Sequence, residues 1–276
     1  MNPNDVGRTA HWIAAVRAME TQRESPLFKD AYAERLAGNL GAQLKANSDV
    51  AAGVQNQFII VRTKYFDDFI QAASGSCPQV VLLGAGFDTR VYRLELNNTK
   101  VFEVDQSEVI NEKERILRSD VPGNGNTIVR VSADLRESWV EKLYSNGFDI
   151  NVPTVWVLEG LLYYLYDSSV KEIIESINQC SAVGSRIIFD VFGTGLLEMK
   201  QMSTFVDNQL RKGLPLPYCN DRPEDLFLDF KEWKMAVDYC GSESANYGRV
   251  KTYYQDITRS DRSKLNSYFV CGMKGG

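Results

Sequence analysis

"VVLLGAGFDTRVYRL" spans Val80 to Leu94, and its apolar run stops at two glycines, Gly84 and Gly86. A continuous Val/Leu run with no polar alternation reads as a strand buried on both faces. Glycines two apart at its end allow close backbone approach to a ligand, because a side chain there would collide. A dinucleotide loop of the form G-x-G-x-x-G would place its third glycine at position 89, where Thr89 stands. The stretch is therefore a damaged dinucleotide fingerprint, a plain turn, or the loop of a different cofactor.

The flanking sequence supplies the fold class. Residues 1–75 place apolar side chains at three and four spacing, as in "TAHWIAAVRAMETQRE" and "NQFIIVRTKYFDDFIQAA", and read as a helical cap. Short β-rich runs follow at 79–86, 100–105, 127–134, 153–160 and 185–192, separated by amphipathic segments such as "DSSVKEIIESINQCS". Alternating strands and helices predict an α/β fold with a mostly parallel sheet covered on both faces. Residues 76–192 form the core of this reading, and 193–232 a helical lid insertion. In 233–276, "PEDLFLDFKEWKMAVDYCG" (from Pro223) reads as a helix, and "YGRVKTYYQ" and "NSYFVCGMK" as strands, the last antiparallel at or near an edge. One domain is expected, since no linker or repeat interrupts the chain.

Ligands bind beyond the carboxyl ends of the strands of such sheets. After the glycine turn, the next three strand ends carry Asp105, Asp134 and Glu159. A phosphate-rich ligand would meet repulsion there. Ribose hydroxyls, an adenine amine and a cationic centre would each find an acceptor. Asp105 follows Gly86 at the distance usual for an acid that holds a cofactor ribose. Each acid alone serves equally well as a helix cap, but strand ends that agree in series are harder to explain as caps.

Composition narrows the chemistry. The 276 residues carry a formal charge of -5 with no clustered basic stretch, which argues against nucleic acid as the main partner. No apolar run approaches the ~20 residues of a membrane helix, and the N-terminus lacks a secretory pattern, so a soluble cytoplasmic protein is expected. The five cysteines (Cys77, Cys180, Cys219, Cys240 and Cys271) never form a C-x-x-C pair, and His11 is the single histidine. A zinc site and a Ser-His-Asp or Cys-His machine are both improbable with that inventory.

Taken together, "QVVLLGAGFDTRVYRL", "VFEVD", "SADL" and "PTVWVLEGLLYYL" resemble the S-adenosyl-L-methionine-dependent methyltransferases of the leucine carboxyl methyltransferase type. That family includes the enzyme that methylates the C-terminal leucine of protein phosphatase 2A, and many bacterial members. "RTAHWIAAVRAMETQRESPLFKDAYAERLAG" and "VRTKYFDDFI" match its preamble, so the resemblance covers roughly residues 8–195. It implies a class I (Rossmann-like) seven-stranded sheet and S-adenosyl-L-methionine as cofactor. It also implies roles. Arg62 pairs with the cofactor's methionine carboxylate and Lys29 contacts the same end. Gly84, Ala85 and Gly86 form the turn beneath the methionine moiety. Asp105 holds the ribose, Asp134 and Leu135 read the adenine, and Glu159 stands beside the cofactor. Asp88, Thr89 and Arg90 are motif positions to which the resemblance assigns no role here; the plain reading of the residues is that they fix the loop and the helix after it.

The expected reaction is methyl transfer in line from a sulfonium, whose main demand is alignment. A carboxylate acceptor is already ionised and requires no general base, which suits a chain with one remote histidine. A methyl ester on a small-molecule or peptide-like acid is the first expectation. O-methylation of a phenol or alcohol is the second, and cofactor binding without turnover the third. Tyr163 and Tyr218 are acceptor-pocket candidates, with Arg211 and Lys212 as further contacts; Trp156 is expected in the core.

Overall fold

The structure is a computed structural model and describes residues 3–52, 57–123, 125–211, 213–250 and 265–276. Its centre is a seven-stranded sheet of order β3-β2-β1-β4-β5-β7-β6. The strands are β1 Gln79–Leu83, β2 Lys100–Asp105, β3 Thr127–Ser132, β4 Thr154–Leu158, β5 Arg186–Phe192, β6 Trp233–Tyr239 and β7 Ser267–Lys274. The first five run parallel, and β7 inserts antiparallel between β5 and β6.

Every residue of β1 and β4 is buried, and the pleat explains why such runs do not alternate with polar residues. Val81, Leu83, Trp156, Leu158, Ile187 and Phe189 enter one core, while Val80, Leu82, Val155, Val157 and Ile188 enter the other. Helices α6 Trp139–Ser145 and α7 Asp167–Gln179 supply Trp139, Leu143, Val170, Ile173 and Ile177 to the first. Helix α3 Gln57–Ser74 supplies Val61, Phe66 and Ile70 to the second. Trp156 is fully buried, as expected.

The N-terminal cap comprises α1 Pro3–Thr21, α2 Ala33–Ala52 and α3, with α2 broken at Gly38, where φ is +54°. Two helices follow β1 and β2: the single turn α4 Arg90–Arg93 and α5 Ser107–Ile116. The insertion after β5 holds a 3₁₀ turn at Thr194–Glu198, helix α8 Lys200–Arg211 and a second 3₁₀ turn at Pro223–Phe227. None of the helices described is long and apolar enough to cross a membrane.

The helix expected over 223–241 is not formed. Only Pro223–Phe227 turns, and Trp233–Tyr239 is strand β6 on the sheet edge. Its sequence, "WKMAVDY", places Trp, Met, Val and Tyr at alternate positions, and pairing with β7 satisfies that period of two over the helical one. Of the strand expected at 247–255, residues 247–249 are turn, and 251–255 lie outside the described residues. The seventh strand thus comes from a different segment than expected.

Candidate active site

Beyond β1, Gly84 and Gly86 both take left-handed backbone, with φ of +66° and +50°. That conformation suits glycine, and a Cβ on Gly84 would fall 2.9 Å from Leu161 Cδ1. Gly84 and Ala85 both donate their N–H to the Val104 carbonyl. Gly86 donates to Asp105 Oδ2 at 2.6 Å, and Gln106 to Asp105 Oδ1 at 2.7 Å. The acid at the end of β2 therefore closes the glycine turn of β1. Burial pushes the Asp105 carboxyl above its ordinary range, against the pull of those two donors.

Behind the turn lies a buried ionic network. Arg62 of α3 donates through Nε to Glu159 at 3.1 Å and through Nη1 to Asp190 of β5 at 2.9 Å. Asp190 also accepts from the Gly160 N–H at 2.6 Å and from the Tyr163 hydroxyl. Arg90 reaches Asp67 at 2.7 Å, Glu159 at 2.6 Å and Asp88. Arg93 also reaches Asp67, and Arg17 of α1 reaches Asp30 at 2.8 Å and the Phe87 carbonyl at 2.6 Å. Thr89 donates its hydroxyl to Asp30 at 2.7 Å. Burial alone would raise the Asp88, Glu159 and Asp30 carboxyls, but the facing guanidiniums hold all three low, Asp88 at about 2.

This network explains "FDTR". Asp88 accepts the Arg90 N–H at 2.7 Å, Thr89 anchors to the cap, and Arg90 ties the turn to α3 and β4. Thr89 has an ordinary φ of -129° and is almost fully buried, so its position does not require glycine.

A cavity of about 1140 Å³ opens above the strand ends, lined by Arg62, Gly84, Ala85, Gly86, Asp105, Asp134, Leu135, Glu159 and Tyr163. The expected residues of the turn and rim thus share one space. Asp134 is partly committed: it accepts from the Arg136 N–H and side chain, which hold its carboxyl low. Lys29 is not brought there; it is exposed and does not line the cavity, while its neighbour Asp30 is the buried partner of Arg17. Tyr218 lies in the core beneath the sheet, with its hydroxyl accepting from Asn220, and Arg211 is exposed away from the cavity. Lys212 is outside the described residues.

Sequence reading missed Asp190, Asp67 and Arg17. The signal for Asp190 was present: one acid inside the apolar run "RIIFDVF", where a buried carboxylate demands a partner. The register puts Asp190 on the same face as Ile188, toward α3, which is why Arg62 meets it.

The residues fit the cofactor that the resemblance implies. The network sets Arg17, Arg62, Arg90 and Arg93 against Asp30, Asp67, Asp88, Glu159 and Asp190, one carboxylate more than guanidiniums. Asp105, Asp134 and Glu159 line the cavity as acceptors for ribose hydroxyls, an adenine amine and a cationic centre, and the glycine turn beside them leaves room for close backbone approach. The cavity also exceeds the ~300–1,000 Å³ typical of a site for one ligand, leaving space for a second molecule.

Comparison with known proteins agrees. The leucine carboxyl methyltransferase family model matches residues 10–178. A Frankia alni protein named for S-adenosyl-L-methionine-dependent methyl transfer is 34% identical over 261 residues, covering 90% of each chain. A similarly named Streptomyces coelicolor protein is 36% identical over 260 residues, again covering 90% of each. Among solved structures, a DUF574 family protein of Streptomyces avermitilis superposes with a TM-score of 0.63 at 10% identity, covering 95% of this chain and 96% of that one. A Thermobifida fusca protein named as a methyltransferase gives 0.60 at 17% identity, with 95% and 94% covered. The two structures share the fold; the sequence matches carry the relationship: this chain belongs to the leucine carboxyl methyltransferase family of S-adenosyl-L-methionine-dependent methyltransferases.

Proposed function

We propose that this methyltransferase forms a methyl ester on the carboxylate of a small acid. The observation that carries the reading is the makeup of the cavity's far half, under α8. The residues lining it there include Tyr163, Tyr164, Phe192, Leu196, Met199, Met202, Thr204, Phe205 and Asn208, and none of these carries a carboxylate or an imidazole. Both tyrosines are poor bases, since burial pushes their hydroxyls up. Asp190, which faces Tyr163, already accepts from Arg62, Gly160 and Tyr163. A phenol or alcohol acceptor would lack a proton acceptor in this half, whereas a carboxylate needs none.

When bound, S-adenosyl-L-methionine supplies a methyl group made electrophilic by its sulfonium. Gly84 and Gly86 give its methionine end room, and Glu159 offers a negative neighbour. The Arg62 edge not engaged by Glu159 and Asp190 is the donor available to a ligand carboxylate. Asp105 accepts from ribose hydroxyls, and Asp134 with the Leu135 backbone takes the adenine edge. The methyl group would pass to an acceptor oxygen that is already ionised, so none of these residues would be asked to take a proton. The protein's contribution is alignment and exclusion of water by α1 and α8.

The test is incubation with labelled methyl donor and a set of carboxylic acids, followed by mass spectrometry before and after alkali. A labelled product that alkali cleaves supports the ester. A labelled product stable to alkali is not an ester and overturns it.

A further inference from the structure

The far half of the cavity says more about the acceptor than that it lacks a base. Tyr163 stacks on Phe192 with ring centroids 4.0 Å apart, and Phe205 meets both Phe192 (6.3 Å) and Tyr164 (6.2 Å) edge-on. Leu196, Met199 and Met202 pack against the same rings. Thioethers in such a wall adapt to alkyl and aryl shapes alike. A polar acceptor body would lose its hydration here and recover few hydrogen bonds, a cost that scales with each unpaired group.

Charge enters the cavity from one further residue. Of the guanidiniums lining it, Arg17, Arg62, Arg90, Arg93 and Arg136 all have carboxylate partners. Arg8, on α1, is exposed, lines the cavity, and has no ion-pair partner among the described residues. Its neighbours Thr9 and Ile13 line the same cavity as Tyr164, which places this side of α1 on the space that the aromatic wall bounds.

We infer that the acceptor is an apolar monocarboxylic acid, and that Arg8 selects for its charge at the entrance to the apolar wall. This rests on the ester-forming reading above and narrows its substrate class. A guanidinium at Arg8, with no ion-pair partner among the described residues, attracts the anionic acid and not the neutral ester, so the same residue favours substrate entry and product departure. It also argues against a hydrophilic peptide terminus, whose amides would stand unpaired against Phe192 and Phe205.

The experiment is isothermal titration of the protein, loaded with S-adenosylhomocysteine so that no turnover occurs. The ligands are decanoate, decanol and succinate. Decanoate is expected to bind at least tenfold more tightly than either of the others. Arg8→Gln should bring decanoate down to the level of decanol without weakening decanol, and Arg8→Lys should keep most of the preference. Phe205→Ser should weaken decanoate and decanol together by about tenfold. Tighter binding of succinate, or an undiminished preference for decanoate in Arg8→Gln, overturns the inference. Turnover separates it from its parent reading. Ester formation on succinate but not decanoate would overturn the apolar assignment alone. An ether on decanol with no ester on any acid would overturn both.

Discussion

Arg62 Nη1 lies 2.9 Å from Asp190 Oδ2, joining the cap helix α3 to the core strand β5 across 128 residues. Both side chains are buried, 6% and 0% exposed, and the same guanidinium turns its Nε to Glu159. One arginine thereby fixes the acid at the rim of the cavity and the strand beneath it. Removing one partner of a buried pair costs about 3–5 kcal/mol, because the other charge is left uncompensated. Asp190→Asn should sit near the lower end of that range, since Glu159 still faces Arg62. Urea unfolding of the variant reads this directly.

Asp105 has a local duty and a proposed ligand duty, and substitution separates them. Asp105→Ala removes the acceptor for the Gly86 and Gln106 N–H groups and the contact proposed for the ribose. Each charge-assisted hydrogen bond is worth about 1.5–3 kcal/mol, so donor affinity should fall roughly 10- to 100-fold. Calorimetric titration of folded variant and wild type measures the difference; equal affinities would show the ribose contact to be misplaced.

Thr89 offers a test of the loop's identity. Thr89→Gly would complete a G-x-G-x-x-G pattern, yet the hydroxyl it removes donates to buried Asp30 at 2.7 Å. The expected result is a loss of about 1–3 kcal/mol in stability and no gain of NAD binding. Thermal denaturation with and without NAD checks both halves.

Acid should unfold the protein partly through Asp88. Burial opposes ionisation of its carboxyl, but Arg90, Lys113 and Arg93 outweigh that and hold it at about 2, below the ordinary 3.8. A carboxyl with a depressed folded-state value contributes stability that is present above pH 3.8 and is lost as pH falls toward about 2. For this group alone the span corresponds to roughly 2 kcal/mol. Asp88→Asn should flatten the fall in unfolding free energy between pH 5 and 3 (roughly the window's upper part), as urea titrations at each pH would reveal.

How much of this was legible in the sequence depends on whether partners lie close along the chain. β1, β2, β4 and β5 were readable because their apolar runs are short, buried on both faces and punctuated by turns, whereas the half-exposed edge strand β3 was marked by its alternating β-branched residues. Asp105 was readable because its spacing from Gly86 is itself the geometry: the two residues hydrogen-bond. β6 was not, because "WKMAVDY" satisfies helical and strand periods alike until β7 is there to pair with it. Lys29 rests on motif position alone, and only folding shows that its neighbour Asp30 turns inward to Arg17 and Thr89. Tyr218 looked available beside the lid, yet the chain carries it under the sheet. Arg62 and Asp190 lie too far apart in sequence for spacing to suggest their contact.

The most direct test of the central claim is isothermal titration of the wild-type protein with S-adenosyl-L-methionine and, separately, with NAD. Saturable one-to-one binding of the sulfonium cofactor, weakened in Asp105→Ala, is expected, with no binding of NAD. Binding of NAD without binding of S-adenosyl-L-methionine would contradict it.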